Sequence, residues 1–181
     1  MKGIVFVELI RMAESVMGEE AVDDILEKAK LENDGAFTAV GNYPCRELLA
    51  IVDAIGAELG APIEALHKQF GHWMFGRFVE GYPVFFEGKN DGFDMLESIE
   101  GEVHVEVRKL YPEVELPTFA TERLEDGRFK MVYSSERPLQ HFCHGLIEAC
   151  LQHFEHDASI QMTEQKGGGK FCAEFLMQKA V

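Results

Sequence analysis

At 181 residues the chain makes one domain, long enough to bury about two-thirds of the surface it exposes when unfolded. A formal net charge of −15 repels phosphate backbones, and no Lys/Arg cluster overrides it, which excludes nucleic acid and anionic membrane as partners and favours a basic protein surface. Hydrophobic residues make up 46% of the chain, with 14 Phe against a single Trp, so the interior is Phe-rich and its rings cover one another or a large apolar guest.

The start, MKGIVFVELIRMAESVMG, lacks the unbroken apolar run of a signal peptide because Glu8, Arg11 and Glu14 interrupt it, and no stretch approaches a membrane span. The expected location is cytoplasmic. Cys45, Cys143, Cys150 and Cys172 are then expected as thiols, since their spacing is not that of a compact disulfide framework.

The first half reads as helices punctuated by Gly and Pro. Val5, Leu9, Met12, Ala13 and Val16 form one apolar stripe ended by Gly18, and Val22, Ile25, Leu26 and Ala29 form a second. After Tyr43-Pro44 a third stripe carries Leu48, Leu49, Val52, Ile55 and Leu59, and Pro62 opens a fourth helix with Ile63, Leu66 and Phe70. The following FGHWMFGRFVEGYPVFF is too aromatic for a solvated loop and is expected to wall a cavity or plug the core. From about Gly92 to Tyr111 a further helix turns Leu96, Ile99, Val103, Val107 and Leu110 inward, and YPEVELP ends it with two prolines.

The second half changes character. FATERLEDGRFKMVYSSE reads as a hairpin turning at Glu-Asp-Gly, PLQHFCHGLIEACLQHF as an amphipathic helix, and ASIQMTEQKGGGKFCAEFLMQ as a second hairpin around a Gly run. The expected class is α+β: a helical N-terminal subdomain followed by a four-stranded antiparallel sheet with one helix inserted.

Two features carry chemistry. In an extended strand Tyr133, Ser135 and Arg137 point the same way, which sets two hydroxyls and a guanidinium in one row suited to an anion with two acid groups. His104 stands at the inward edge of its helix, next to Val103 and three residues from Val107. Composition leaves it between a core histidine and a ligand. The remaining histidines, His67, His72, His141, His144, His153 and His156, read as surface or cap residues.

HVEVRKLYPEVELPTF followed by YSSER resembles the heme nitric oxide/oxygen binding family, H-NOX, whose members stand alone in bacteria and form the regulatory head of soluble guanylate cyclase. The resemblance spans essentially residues 1–181: the MKG start, the helical half, the His helix ending in YP, the Pro of LP thirteen residues after His104, and the Tyr-x-Ser-x-Arg row. It implies one domain, with about 1–60 as a distal helical subdomain, about 61–181 as a proximal subdomain with the sheet, and heme b between them. His104 is then the proximal iron ligand, and Tyr133, Ser135 and Arg137 hold the two propionates. Pro117 presses on the porphyrin, and loss of the iron–His104 bond on binding nitric oxide lets the heme relax and the N-terminal helices shift.

The same resemblance places Val5, Leu9, Met74, Phe78, Phe142 and Leu146 over the iron. Oxygen-holding members carry a Tyr nine residues after the clamp Tyr; here that position is Phe142. Bound oxygen needs a hydrogen-bond donor, whereas nitric oxide and carbon monoxide do not, so the implied function is a non-catalytic nitric oxide sensor that excludes oxygen. Stand-alone members commonly regulate a histidine kinase or an enzyme of cyclic di-GMP turnover, the partner class this implies. Two other readings stand beside it: an oxygen-binding heme protein, and a zinc or redox-responsive thiol module built on Cys143, Cys150 and Cys172 with neighbouring histidines. Against zinc, Cys143 and Cys150 lie on the apolar helix face, where small buried hydrophobes are the simpler reading.

Overall fold

The computed structural model describes residues 1–167 and 169–179. Helices α1 (Gly3–Met17), α2 (Glu19–Lys28), α3 (Cys45–Leu59) and α4 (Ile63–Gly81) come first. Pro44 and Pro62 immediately precede α3 and α4 with extended backbone, the position where a missing N–H costs a helix nothing. A 3₁₀ turn at Pro83–Phe85 leads to α5 (Gly92–Ser98), a π-type turn (Ile99–Val103) and α6 (His104–Leu110), which run on as one helical segment. Strands β1 (Thr118–Arg123) and β2 (Phe129–Ser135), helix α7 (Gln140–His153), and strands β3 (Ala158–Gly167) and β4 (Lys170–Lys179) complete the chain. Among the described residues no helix is long and apolar enough to cross a membrane.

The four strands form one antiparallel sheet in the order β1-β2-β4-β3, so both hairpins and the inserted helix are present as expected. The first hairpin turns where Gly127 takes φ 83°, and its amide donates to the Leu124 carbonyl at 3.0 Å. The expected Gly run of the second hairpin includes Gly168, which lies outside the described residues.

Two apolar cores share α4 and α7. One joins Phe6, Leu9, Met12, Val22, Ile25, Leu48, Ile51, Val52, Leu66, Phe70 and Met74 from the first four helices. The other joins Phe75, Phe93, Leu96, Cys143, Ile147 and Cys150 to one sheet face, where Phe129, Met131, Tyr133, Ala173, Phe175 and Met177 alternate inward with period two. Helix α7 is therefore the middle layer, with the sheet on one side and α4 on the other.

Several sequence expectations change. The aromatic stretch from Phe70 does fill the core, through Phe70, Met74 and Phe75, and it does so as the continuation of α4 to Gly81, because its rings recur at helical spacing and no proline intervenes before Pro83. Val16 is 57% exposed and Leu110 70% exposed, each in the last turn of its helix, and Leu59, the last residue of α3, is likewise exposed. Phe6 and Ile51 take inward positions instead. His67 and His156, expected as surface or cap residues, are buried.

Candidate functional site

Glu100 and His104 stand four residues apart across the π-type turn and the start of α6, which places them on one helical face. His104 is 8% exposed, and its Nδ1 lies 3.0 Å from Glu100 Oε2. The same oxygen accepts the amide of Phe119 in β1 at 3.2 Å, while Oε1 accepts from Arg108 at 2.7 Å. One carboxylate thus ties the His104 helix to its own turn and to the sheet.

Burial would raise the Glu100 carboxyl, but the bonds from Arg108, His104 and Phe119 prevail and hold it below its ordinary range. Burial lowers the His104 imidazole, and the pull of Glu100 the other way does not overcome it. At neutral pH the pair is a carboxylate and a neutral imidazole. A carboxylate only accepts, so Nδ1 carries the proton and Nε2 keeps its lone pair.

Phe119 links this histidine to the clamp region. Its ring centroid is 5.5 Å from that of His104 and 5.9 Å from that of Tyr133, its register partner in β2.

The clamp differs from the expected row. β2 ends at Ser135, and Arg137 lies beyond it in a bend, so the alternation that aligns Tyr133 with Ser135 does not extend to Arg137. The two hydroxyls instead grip the main chain of Arg137: Tyr133 Oη donates to its carbonyl at 3.0 Å, and its amide donates to Ser135 Oγ at 3.1 Å. The guanidinium reaches Glu115, donating at 2.7 Å to its carbonyl and at 2.7 Å to its carboxylate. The three residues are brought together, through backbone as well as side chains. Burial pushes the Tyr133 phenol up to about 12, so it stays a proton donor at any physiological pH.

Leu9 and Met74 belong to the helical core, and Val5, Phe78, Phe142 and Leu146 pack against it, so all six expected pocket residues are gathered in one apolar cluster. Phe142 meets Phe70 with ring centroids 5.0 Å apart. Leu146 touches both cores. Pro117 is half-buried directly before β1.

The thiols are dispersed. Burial raises the Cys143 and Cys150 thiols, and Cys150 points at the Gly92 carbonyl at 3.8 Å, whereas Cys172 sits in β4 with its sulfur 3.5 Å from Ser134 Oγ. Among the described residues no group of three or more His, Cys, Asp or Glu side chains is disposed to hold a metal ion. His72 and His144 both face Glu148, at 2.9 and 3.3 Å, with Lys68 on the same carboxylate at 2.7 Å.

Three residues of the site escape the sequence reading. Glu100 has a signal, its spacing of four from His104. Phe119 needs the strand register, and Glu115 needs the path of the loop to Pro117.

A family model described as Haem-NO-binding matches residues 2–162. The Fe(II) unliganded H-NOX protein from K. algicida is 34% identical, covers 100% of this chain and 97% of its own, and superposes with a TM-score of 0.92. Its A71G mutant is 35% identical with the same coverage and TM-score. An H-NOX protein from S. oneidensis in the Fe(II)NO ligation state is 26% identical over 100% of both chains, with a TM-score of 0.86. Comparison with curated proteins gives no match.

Proposed function

Because the chain belongs to the Haem-NO-binding, or H-NOX, family, we propose that it is a non-catalytic sensor which takes nitric oxide at ferrous heme b, excludes oxygen, and regulates a separate signalling protein. The observation that carries this reading is the buried imidazole of His104 with Nδ1 committed to the Glu100 carboxylate at 3.0 Å, which leaves Nε2 as the free ring nitrogen. An iron ligand needs that tautomer.

The donor set of the chain fits heme. His104 supplies one imidazole, the buried apolar residues supply cover for a porphyrin, and Arg137, which here pairs with the Glu115 carboxylate at 2.7 Å, is a cation that would hold a propionate. Tyr133 and Ser135 hold the Arg137 main chain in place, and Ser135, having accepted the amide, still has a hydroxyl proton to donate. When bound, ferrous heme supplies an iron that takes a diatomic gas.

Selectivity rests on the six apolar residues. The side chains of Val5, Leu9, Met74, Phe78, Phe142 and Leu146 carry no N–H or O–H, so they offer nothing to the partial negative charge of bound oxygen. The N–H of Trp73, next to Met74, is spent on Glu8 at 3.0 Å. In this reading residues up to about 60 form the distal half and the rest the proximal half, with α4 serving both cores.

Signal output follows the connections of His104. Movement of α6 pulls on Glu100 and thereby on β1, while α4 and α7 couple the sheet to the N-terminal helices. The partner is a histidine kinase or a cyclic di-GMP turnover enzyme with a basic docking face, which the net charge of −15 would steer. Partner activity measured with ferrous and nitric oxide-treated protein at matched concentration tests this. A difference that disappears in His104→Ala is expected; equal activity in both states, with binding verified, would leave a heme protein that is not this sensor.

A further inference from the structure

We propose that Glu100 is a positioning residue for His104, fixing Nε2 as the atom presented to the iron and making the imidazole a stronger donor than an unpartnered histidine. The inference rests on the heme reading above and adds a residue to it.

The geometry gives the carboxylate little freedom. Its Oε2 receives two donors, His104 Nδ1 at 3.0 Å and the Phe119 amide at 3.2 Å, and its Oε1 receives Arg108 at 2.7 Å. These donors come from α6 and from β1, so the carboxylate cannot swing without breaking a bond to one of two separate elements. An ordinary exposed pair at helical spacing has no such constraint and contributes little. The π-type turn at Ile99–Val103 sets where Glu100 points, and irregular turns of this kind recur at functional positions in helices.

Two consequences follow. A flip of the imidazole ring about its Cβ–Cγ bond would exchange the positions of Nδ1 and Cδ2 and lose the bond to Glu100, so the carboxylate selects one orientation and one tautomer. A carboxylate that accepts the Nδ1 proton also draws that proton toward itself and raises the electron density at Nε2. A richer donor strengthens the metal–nitrogen bond and favours the ferric over the ferrous state. Because the same oxygen holds the Phe119 amide, the orientation of the imidazole is referenced to the sheet rather than to α6 alone.

The test uses the full heme-loaded chain and reads the iron–imidazole stretching band of the ferrous form by resonance Raman, together with the ferric/ferrous midpoint potential. Glu100→Gln keeps the shape and an acceptor oxygen without the charge, and Glu100→Ala removes both. The band is expected to fall in frequency and the potential to rise in the order Glu, Gln, Ala, with ferrous heme lost about 10-fold faster from the Ala variant. A band and a potential unchanged in Glu100→Ala would overturn the assignment. Should both variants fail to fold, His104→Gly filled with an exogenous ligand decides: imidazole, which can donate to Glu100, is expected to bind at least about 10-fold more tightly than 1-methylimidazole, which cannot. Equal binding of the two overturns the role of Glu100. Absence of any iron–imidazole band in the unmodified protein would instead overturn the heme ligation itself.

Discussion

Gly145 in α7 packs its Cα directly against the main chain of Lys68 in α4, so closely that a Cβ at that position would stand 2.0 Å from the Lys68 carbonyl oxygen. The contact is reciprocal along the crossing, since a Cβ on Gly71 would stand 2.4 Å from the Phe142 carbonyl oxygen. Both obstacles are backbone and cannot move aside as a side chain could. Gly145→Ala is therefore expected to force α4 and α7 apart and to destabilise the fold by about 1–3 kcal/mol or more. Urea unfolding midpoints of Gly145→Ala and Gly71→Ala check this, against an exposed control such as Gly76→Ala, where an added Cβ meets nothing within 4 Å.

Glu8 gives a second expectation. It is 1% exposed, and its carboxylate accepts from Trp73 Nε1 at 3.0 Å, Arg11 at 2.7 Å and Arg77 at 3.1 Å, joining α1 to α4 beside the apolar cluster. Glu8→Ala removes the acceptor of the half-buried Trp73 N–H and of two exposed guanidinium groups, with an expected loss of about 1.5–3 kcal/mol. Trp73→Phe leaves both arginines paired and should cost less. Equal losses in the two variants, measured by denaturant unfolding, would contradict the carboxylate as the centre of this contact.

Arg137→Ala should loosen two things at once. The loop carrying Glu115 loses both of its bonds to the guanidinium, and in the proposed heme site a propionate would lose its cation, a deficit of about 3 kcal/mol when the remaining charge is buried. Transfer of heme to an apo-globin trap is expected to accelerate strongly. Arg137→Lys should recover only part of the retention, because an ammonium cannot make the forked contact. Unchanged transfer rates would remove Arg137 from the clamp.

Acid sensitivity follows from two buried histidines. Burial lowers His67, with His141 adding to the effect and Asp53 and Glu64 opposing it; burial also lowers His156, opposed by Asp91 and reinforced by Lys179 and Arg123. Nε2 of His67 and both ring nitrogens of His156 have no hydrogen-bond partner among the described residues. A histidine lowered on folding binds its proton more readily when unfolded. Its contribution to stability is complete above the unfolded value of about 6.5 and is lost as the pH falls through that value toward the folded one. Melting temperatures should fall between pH 7 and pH 5, and His67→Leu should flatten that slope. A slope of opposite sign would contradict the burial of these rings.

The sequence makes the fold legible where periodicity and turn chemistry agree. Leu48, Val52 and Ile55 mark the buried side of α3 correctly, and the alternation of Phe129, Met131 and Tyr133 marks the inner sheet face. Periodicity fails at helix ends, as Val16 and Leu110 show, because a stripe tells which way a residue points and not whether anything lies there to cover it. At the candidate site, the burial of His104 and the gathering of the six apolar side chains are readable from pattern and resemblance. The departure of Arg137 from the strand is not, since it shows only in the end of β2 at Ser135 and in the bonds that Tyr133 and Ser135 make with the Arg137 main chain. Contacts across distant segments, such as Phe119 with Glu100, depend on the packed sheet and have no local signature.

Gas selectivity in the proposed sensor depends on a ferrous heme held through His104 in a pocket that offers no donor to oxygen. The most direct measurement is the absorption spectrum of the reduced, purified protein under nitric oxide, under carbon monoxide and in air. The expected result is a Soret band that shifts with nitric oxide and with carbon monoxide, and no lasting oxygen complex in air. A stable oxygen complex of the unmodified protein, or reduced heme-reconstituted protein that is blind to nitric oxide, would contradict it.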